Sequence, residues 1–453
     1  MANLKKSASK RNSTHTQVQQ FLAVVFAAKK LAKPHLLLAF SGGLDSTILL
    51  HMLAKLRAYL PFQLSAMHVH HGLSANADAW ADFCEKTCRE LNIPLQIQKV
   101  IIDKKSGLGV EATARNARYA ALNHADFDFI CLAQHQNDQA ETLLLQLARG
   151  AGVKGLAGMA AVDLQRRLLR PLLHVGRAAL EAYAKQNQLS WIEDESNDDT
   201  HFDRNFMRHE VLSPLQKRYP AIAQTLSRSA ENLAEASELL DDLARMDAGN
   251  SAQKHEVCLD LFKNLNEARQ ANLMRWWLAQ QQITMPSAQQ LQQILQQFLQ
   301  AKPNATIKIK VSESQYLRGF QGSAYVVQEC VKAAPMNVLW QGEAEIVLPD
   351  RSRLIFSQKA GEGLALPQGN KLRIKNRQGG ERFRPELGRP SRTLKYVLQT
   401  SAMPPWQREQ LPLIFMDETL AYIPNLGATA ELQAKPHETG YVVTWLRDYL
   451  DQT

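Results

Sequence analysis

The chain has 453 residues, enough for two or three domains with ample core. Its 53 lysines and arginines outnumber 44 acidic residues, and the formal net charge of +9 favours a polyanionic partner. Five scattered cysteines (Cys84, Cys88, Cys131, Cys258 and Cys330) argue against a disulfide framework and for a reducing cytoplasm, and no apolar run long enough for a membrane span occurs.

Residues 1–17 read as a basic disordered tail, with Lys5, Lys6, Lys10 and Arg11 but no apolar leader segment. A helical pattern at 18–31 follows. Strand-like runs at 36–40, 64–69, 95–101 and 129–133 then alternate with helical patterns at 47–57, 76–91 and 111–125. The alternation predicts an α/β fold, a doubly wound parallel sheet covered on both faces, over residues 18–220. Ligands in such sheets bind at the carboxyl ends of the strands.

The first strand runs into Ser41-Gly42-Gly43-Leu44-Asp45-Ser46 and a helix. Gly42 and Gly43 allow close backbone approach to a bulky anion, the turn amides and helix N-terminus supply positive partial charge, and Ser41 and Ser46 add hydroxyl donors. A carboxylate at Asp45 beside a phosphate site implies a bound divalent cation. The run lacks the lysine that ends the common P-loop and resembles the pyrophosphatase loop of adenylating enzymes, which release pyrophosphate and transfer AMP.

His68, His70 and His71 follow the second strand without an apparent fourth metal ligand, which favours packing or site lining. His135, Asp138 and Glu141 open the helix after the fourth strand. That spacing is a capping pattern in its own right, and it equally suits a cation, a base and an amine ligand. Glu111, Arg115 and Arg118 share a helical face, either as a salt-bridged surface or as arginines beside a phosphate; spacing decides neither. An acidic loop at 193–199 precedes Arg204-Asn205-Phe206-Met207-Arg208, as a ligand site or a self-paired turn.

Residues 221–248 read as a linker helix, and 249–330 as a small helical domain whose glutamine-rich part keeps an apolar face through Leu291, Ile294, Leu295 and Phe298. Short strands at 307–311, 324–327, 344–348 and 353–356 lead into an α+β C-terminal domain, 331–453. Between Lys371 and Arg408 ten basic residues face two acidic ones, with Arg382, Arg384, Arg389, Arg392 and Lys395 at the centre of the segment. Phe383, Tyr396 and Trp406 are interleaved, a composition suited to phosphate contacts and stacking on exposed RNA bases.

In order, Ser-Gly-Gly-Leu-Asp-Ser at 41–46, His-Val-His-His-Gly-Leu at 68–73, Glu-Ala-Thr-Ala-Arg-Asn-Ala-Arg-Tyr at 111–119, Asp-Gln-Ala-Glu-Thr at 138–142, Arg-Pro-Leu-Leu at 170–173 and Arg-Asn-Phe-Met-Arg at 204–208 resemble the bacterial tRNA(Ile)-lysidine synthetases of the PP-loop superfamily. Gly-Gly-Glu-Arg-Phe-Arg-Pro at 379–385, Leu-Lys at 394–395 and Pro-Pro-Trp at 404–406 are similar to that family's last domain. The resemblance implies a cytoplasmic ligase that uses ATP and Mg2+ and takes free L-lysine and isoleucine tRNA with a CAU anticodon. ATP adenylates the C2 oxygen of the wobble cytidine, and the lysine ε-amine displaces AMP. By matching position it implies that Ser41, Gly42, Gly43, Leu44, Asp45 and Ser46 hold the nucleotide and Asp45 and Asp138 the magnesium. Asp45, Arg115, His135, Asp138 and Glu141 then carry the catalysis, with Arg204 and the C-terminal basic residues on RNA. The family often has paired aspartates where Asn137-Asp138 stands and paired histidines where Gln134-His135 stands, which makes Asp138 the functional carboxylate. Two other readings stand beside this one. A tRNA-thiolating relative would need a reactive cysteine pair or an iron–sulfur cluster. A non-catalytic RNA-binding protein would carry only a relic nucleotide loop.

Overall fold

The computed structural model describes residues 13–72, 74, 76–101, 110–123, 126–249, 252–253, 255–302, 305, 307–328, 336–366, 371–401 and 403–446. Most of the basic tail, Leu73, Cys330 and the Glu111 side chain lie outside the described residues. The chain divides into two compact units, Met1–Leu240 and Asp241–Thr453.

In the first unit, α1 (Thr14–Ala28), α2 (Leu44–Leu56), α3 (Ala77–Glu90), α4 (Val110–Asn123) and α5 (Gln136–Ala148) alternate with β1 (His35–Ala39), β2 (Gln63–His70), β3 (Leu95–Lys99) and β4 (Phe129–Cys131). A single turn α6 (Val153–Leu156), a hairpin of β5 (Val162–Asp163) and β6 (Leu168–Leu169), and α7 (Arg177–Gln186) follow. The sheet order is β3-β2-β1-β4-β6-β5, parallel except at the β5 edge. The three leucines of β1 show why it is central. Leu36 and Leu38 pack with Val18, Leu22, Ile48 and Leu49 on one face, while Leu37 packs with Met67, Leu122 and Ile130 on the other. Because β1 lies between β2 and β4, the sheet changes its direction of growth there, and the loops after β1 and β4 open side by side. Helix α1 starts earlier than the expected position 18 because Ser13 accepts a hydrogen bond from the Thr16 amide and caps it.

Short helices α8 (Asp203–Phe206) and α9 (Ser213–Arg218) flank a π-helical turn, Met207–Leu212, and α10 (Ile222–Ala248) crosses the boundary between the units. The segment 249–330, expected as a small helical domain with strands only from 307 onward, is more mixed in the structure. Strands β7 (Ala252–Gln253) and β8 (Glu256–Cys258) precede α11 (Asp260–Lys263), α12 (Glu267–Gln280) and α13 (Ala288–Leu299), and then come β9 (Lys308–Lys310), β10 (Gln315–Phe320) and β11 (Ser323–Gln328). They form one five-stranded sheet, β7-β8-β11-β10-β9, against the helices. β10 escapes a sequence reading because only one of its faces meets the core, through Leu317, and its polar residues interrupt the apolar pattern. The expected apolar face of α13 is buried.

The second lobe of this unit comprises β12 (Asn337–Trp340), β13 (Glu345–Val347), β14 (Arg353–Ala360), β15 (Leu372–Lys375), β16 (Arg382–Phe383), β17 (Arg392–Thr393), α14 (Leu394–Thr400), α15 (Pro405–Arg408), β18 (Leu413–Met416), β19 (Thr419–Ile423), β20 (Gly427–Ala428) and β21 (Thr439–Leu446). Sheets β12-β15-β18-β19-β20 and β13-β14-β21 share a core around Leu354, Ile374, Leu398 and Leu413.

One glycine sets the loop after β1. Gly42 has φ +84°, and a Cβ there would lie 2.5 Å from Ile192 Cδ1 and 3.1 Å from Cys84 Sγ. Gly42→Ala is therefore expected to cost about 1–3 kcal/mol from backbone strain and crowding. Urea unfolding measures this, and an unchanged midpoint would show that the loop accepts a side chain there.

Candidate active site

The loop after β1 spends its carbonyls on itself. Ser46 and Thr47 hydroxyls donate to the Gly43 and Gly42 carbonyls at 3.0 and 3.1 Å, and the Ile192 amide donates to Gly42 O at 2.9 Å. Ser41 Oγ lies 3.0 Å from Ser46 Oγ. No side chain caps α2 at Gly43, so its first-turn amides stay available to an anion. Ser41, Gly42, Gly43, Leu44 and Ser46 thus form one cradle at the end of β1.

Asp45, in the first turn of α2, points into the crevice and meets groups from two other elements. Arg177 at the start of α7 places one guanidinium nitrogen 3.0 Å from both carboxylate oxygens. His135 Nε2 stands 3.6 Å from Asp45 Oδ2 and 3.7 Å from Asp138 Oδ2. The Asn137 amide donates to His135 Nδ1 at 3.1 Å, which leaves the proton of a neutral ring on Nε2, facing both aspartates. Asp138 also accepts from the His135 amide at 2.9 Å, so the capping reading and the site reading of this helix start coincide. Burial opposes protonation of His135, yet Asp138 and then Asp45 outweigh it and raise its pKa. Burial likewise lifts the Asp45 carboxyl, but His135, Arg177 and Arg208 hold it below its usual value.

Glu141 lies one turn further along α5 with its side chain 1% exposed. Arg208 grips it through Nε at 2.7 Å and a terminal nitrogen at 3.1 Å, and also reaches Asp138 Oδ1 at 3.3 Å. Arg204 Nε stands 3.9 Å from Glu141, and its guanidinium donates to the Thr142 hydroxyl at 3.3 Å. Burial keeps the Glu141 carboxyl above its usual range despite Arg208 and Arg204. Between these arginines, Asn205 donates to the Ser196 and Asp199 carbonyls at 2.8 and 2.9 Å and holds the acidic loop closed. The π turn carries Arg208 to the carboxylates, as such irregularities often do at functional sites.

Arg177 and Arg208 are the site residues that sequence reasoning misses or leaves inside a motif. The i,i+4 spacing of Arg204 and Arg208 is a signal for the second; Arg177, at an ordinary helix start, offered none. Asn137 has a structural role, since its side-chain oxygen accepts from the Arg177 amide at 3.4 Å and ties the starts of α5 and α7. Arg115 is exposed, 5.7 Å from the Tyr119 ring centroid, and makes no ion pair with the carboxylate cluster among the described residues. His68 and His70 pack as the sequence favoured: His68 Nδ1 donates to Phe40 O at 3.0 Å and His70 Nε2 lies 3.1 Å from Asp78. Burial pushes the Cys84, Cys88 and Cys131 thiols up to about 12, so none is poised for sulfur chemistry.

Among the described residues no three His, Cys, Asp or Glu side chains converge as a cage. Asp45 and Asp138 are hard oxygen donors of the kind that hold magnesium together with substrate phosphates, so the donor set fits that ion. In the second unit, Arg382 and Arg392 are exposed on paired β16 and β17, with Lys395 and Tyr396 exposed at the start of α14. Arg384 and Arg389 are paired with Glu431 at 2.7 Å and Glu386 at 2.8 Å. Phe383 and Trp406 are only 2% and 8% exposed. They belong to the core and not to a stacking surface, which leaves Tyr396 of the three.

Residues 11–215 match the family model of a PP-loop domain, 258–325 that of a TilS substrate binding domain, and 372–445 that of a TilS substrate C-terminal domain. The tRNA(Ile)-lysidine synthase of Nitrosomonas europaea is 39% identical over 426 residues, covering 92% of this chain and 93% of that one. The chain belongs to the tRNA(Ile)-lysidine synthase family. Family members of the same name from Azoarcus sp. (37% identical, 94% of this chain and 95% of theirs) and Serratia proteamaculans (40%, 91% and 97%) match equally widely. As a tRNA(Ile)-lysidine synthase, the protein is an ATP-binding ligase that forms lysidine in tRNA.

Arg208→Ala strands Glu141 in the interior with only Arg204 nearby. The expected loss is about 2–4 kcal/mol, reduced from a fully buried pair because Arg208 still reaches water. Adding Glu141→Gln should recover at least half of it by urea unfolding. Simple additivity of the two losses would mean that the pair is uncoupled.

Proposed function

We propose that this enzyme joins free L-lysine to C2 of the wobble cytidine in the CAU anticodon of isoleucine tRNA, in the cytoplasm. The observation that carries the reading is one crevice that combines the Ser41–Ser46 cradle with a ring of Asp45, His135, Asp138 and Glu141. In the first step the cytidine C2 oxygen attacks the α-phosphorus of ATP, and the bond to pyrophosphate breaks. Ser41, Gly42, Gly43, Leu44 and Ser46 hold the departing pyrophosphate through amides and hydroxyls. Asp45 and Asp138 would hold magnesium, which when bound supplies positive charge to the phosphate oxygens. Arg177 covers Asp45 until a nucleotide-bound cation would take its place.

In the second step the lysine ε-amine forms the C2–N bond, the bond from C2 to the AMP oxygen breaks, and AMP leaves with its electron pair. Asp138 and Glu141 receive the incoming ammonium and accept its proton. Glu141 is suited to this because burial already raises its proton affinity. His135 keeps both aspartates oriented. Arg115 and Arg204 neutralise charge on the nucleotide and on the anticodon backbone.

The division of labour we propose places catalysis in 18–220, a linker helix in 221–248 and tRNA contacts in 249–330 and 331–453. Arg382, Arg392 and Lys395 contact backbone phosphates directly; Arg384 and Arg389 do so by exchanging Glu431 and Glu386 for RNA.

Incubation with unmodified isoleucine tRNA, labelled ATP and labelled lysine tests the reaction. AMP and pyrophosphate should appear only with tRNA, and lysine label should be found on the anticodon base; ADP, or no lysine uptake, would sink the proposal. Asp45→Ala should abolish adenylation, and near-normal pyrophosphate release would remove Asp45 from the site. Arg382→Ala should weaken tRNA binding and lower its salt slope by about one while leaving ATP binding intact. An unchanged slope would take Arg382 off the RNA.

A further inference from the structure

In the first lobe of the second unit Leu317 points into the core, so strand alternation turns Arg318 and Phe320 to the opposite face of the sheet. Helix α15 of the second lobe docks on that face. Trp406 meets Phe320 edge-on with ring centroids 6.1 Å apart, and Tyr325 at 5.5 Å. Beside this contact opens a cleft of about 300 Å³ whose lining includes Arg318, Phe320, Gln321, Gln399, Trp406 and Arg408, and no carboxylate among the described residues.

The cations in this cleft are poorly compensated. The Arg318 guanidinium lies 5.4 Å from the Trp406 ring centroid, and that of Arg408 lies 5.7 Å from the Phe320 centroid. Arg318 Nε is buried with no hydrogen-bond partner among the described residues, a costly state that an acceptor would relieve. Arg408 Nε donates to the Met403 carbonyl at 2.7 Å, which fixes the guanidinium by one edge. Burial and the neighbouring Arg377 both work against its charge. Two held guanidiniums over aromatic rings, without an acid, make a donor set for phosphate oxygens.

The approach to the cleft favours a strand of RNA over a small anion. Gln399 follows Lys395 by four residues and Tyr396 by three on α14, so all three share a helix face. The Arg392 guanidinium covers Tyr396, 4.4 Å from its ring centroid. A basic, partly aromatic track therefore leads from Arg392 and Lys395 to Gln399 at the cleft wall.

Resting on the reading that tRNA is the substrate, the geometry points to this cleft as a phosphodiester site. Arg318 and Arg408 donate to the non-bridging oxygens of one RNA backbone phosphate, and the part-buried Phe320 ring lines the floor beside them. Full-length protein and an unmodified isoleucine tRNA transcript test it through the dependence of binding on KCl concentration. Arg318→Gln and Arg408→Gln should each lower the salt slope by about one. The double variant should lose no more than either single one, because both arginines serve one phosphate. Arg318→Lys should recover most of the slope, and ATP binding without RNA should be unchanged throughout.

Unchanged slopes in variants whose circular dichroism and melting match the wild type would overturn the proposal. So would saturable binding of inorganic phosphate or ATP at the cleft with tRNA binding unaffected, which would make it a free-anion site. Failure of the wild-type protein to bind the transcript at all would overturn the tRNA reading itself, and this site with it.

Discussion

Three carboxylates share one crevice at the end of a parallel sheet, and most of the first unit's later half serves to make that tolerable. Asp45 and Asp138 sit in the first turns of α2 and α5, where the helix N-termini favour negative charge, and Glu141 lies a turn deeper with almost no water. Uncompensated, such a group would cost several kcal/mol or take up a proton. Arg177 from α7, Arg204 from α8 and Arg208 from the π turn supply the opposing charge, with His135 between the two aspartates. Each arginine reaches in from a different element, so the charge balance also fixes how those elements pack.

The same balance makes the site responsive. Arginines occupy the oxygens that, on the proposed reading, a nucleotide-bound cation and an ammonium substrate would use, so each ligand would exchange one positive partner for another. The segment around Ile192 couples this to the loop after β1, since its backbone pairs with Gly42 and Gly43 while the following acidic loop is tied down by Asn205 from the arginine-bearing helix. The loop after β1 and the carboxylate ring are therefore braced by one stretch of chain.

In the second unit the physics sorts a single basic and aromatic composition into two uses. Phe383 and Trp406 are drawn into cores because each buries a large apolar surface. Arg382, Arg392, Lys395 and Tyr396 remain on short, exposed elements. Trp406 also brings Arg318 and Arg408 together from parts of the chain about 90 residues apart. Neither arginine would be paired with the other by any local pattern.

What the sequence by itself determined was whatever local periodicity and a handful of contiguous residues can carry. Leu36, Leu37 and Leu38 announce a strand buried on both faces, Gly42 and Gly43 announce a tight turn into a helix, and Asp138 with Glu141 announce a helix start rich in charge. The ordered motifs added the family. Two-residue strands such as β5 and β6 hold too few side chains to show a period, and β10 hides its single core contact among polar residues. The pairings of Asp45 with Arg177, of Glu141 with Arg208 and of Arg318 with Arg408 were decided only by the tertiary structure. Their energies depend on burial and on distances of a few ångströms between groups 67 to 132 residues apart in the first unit, quantities that come into being only when the elements pack.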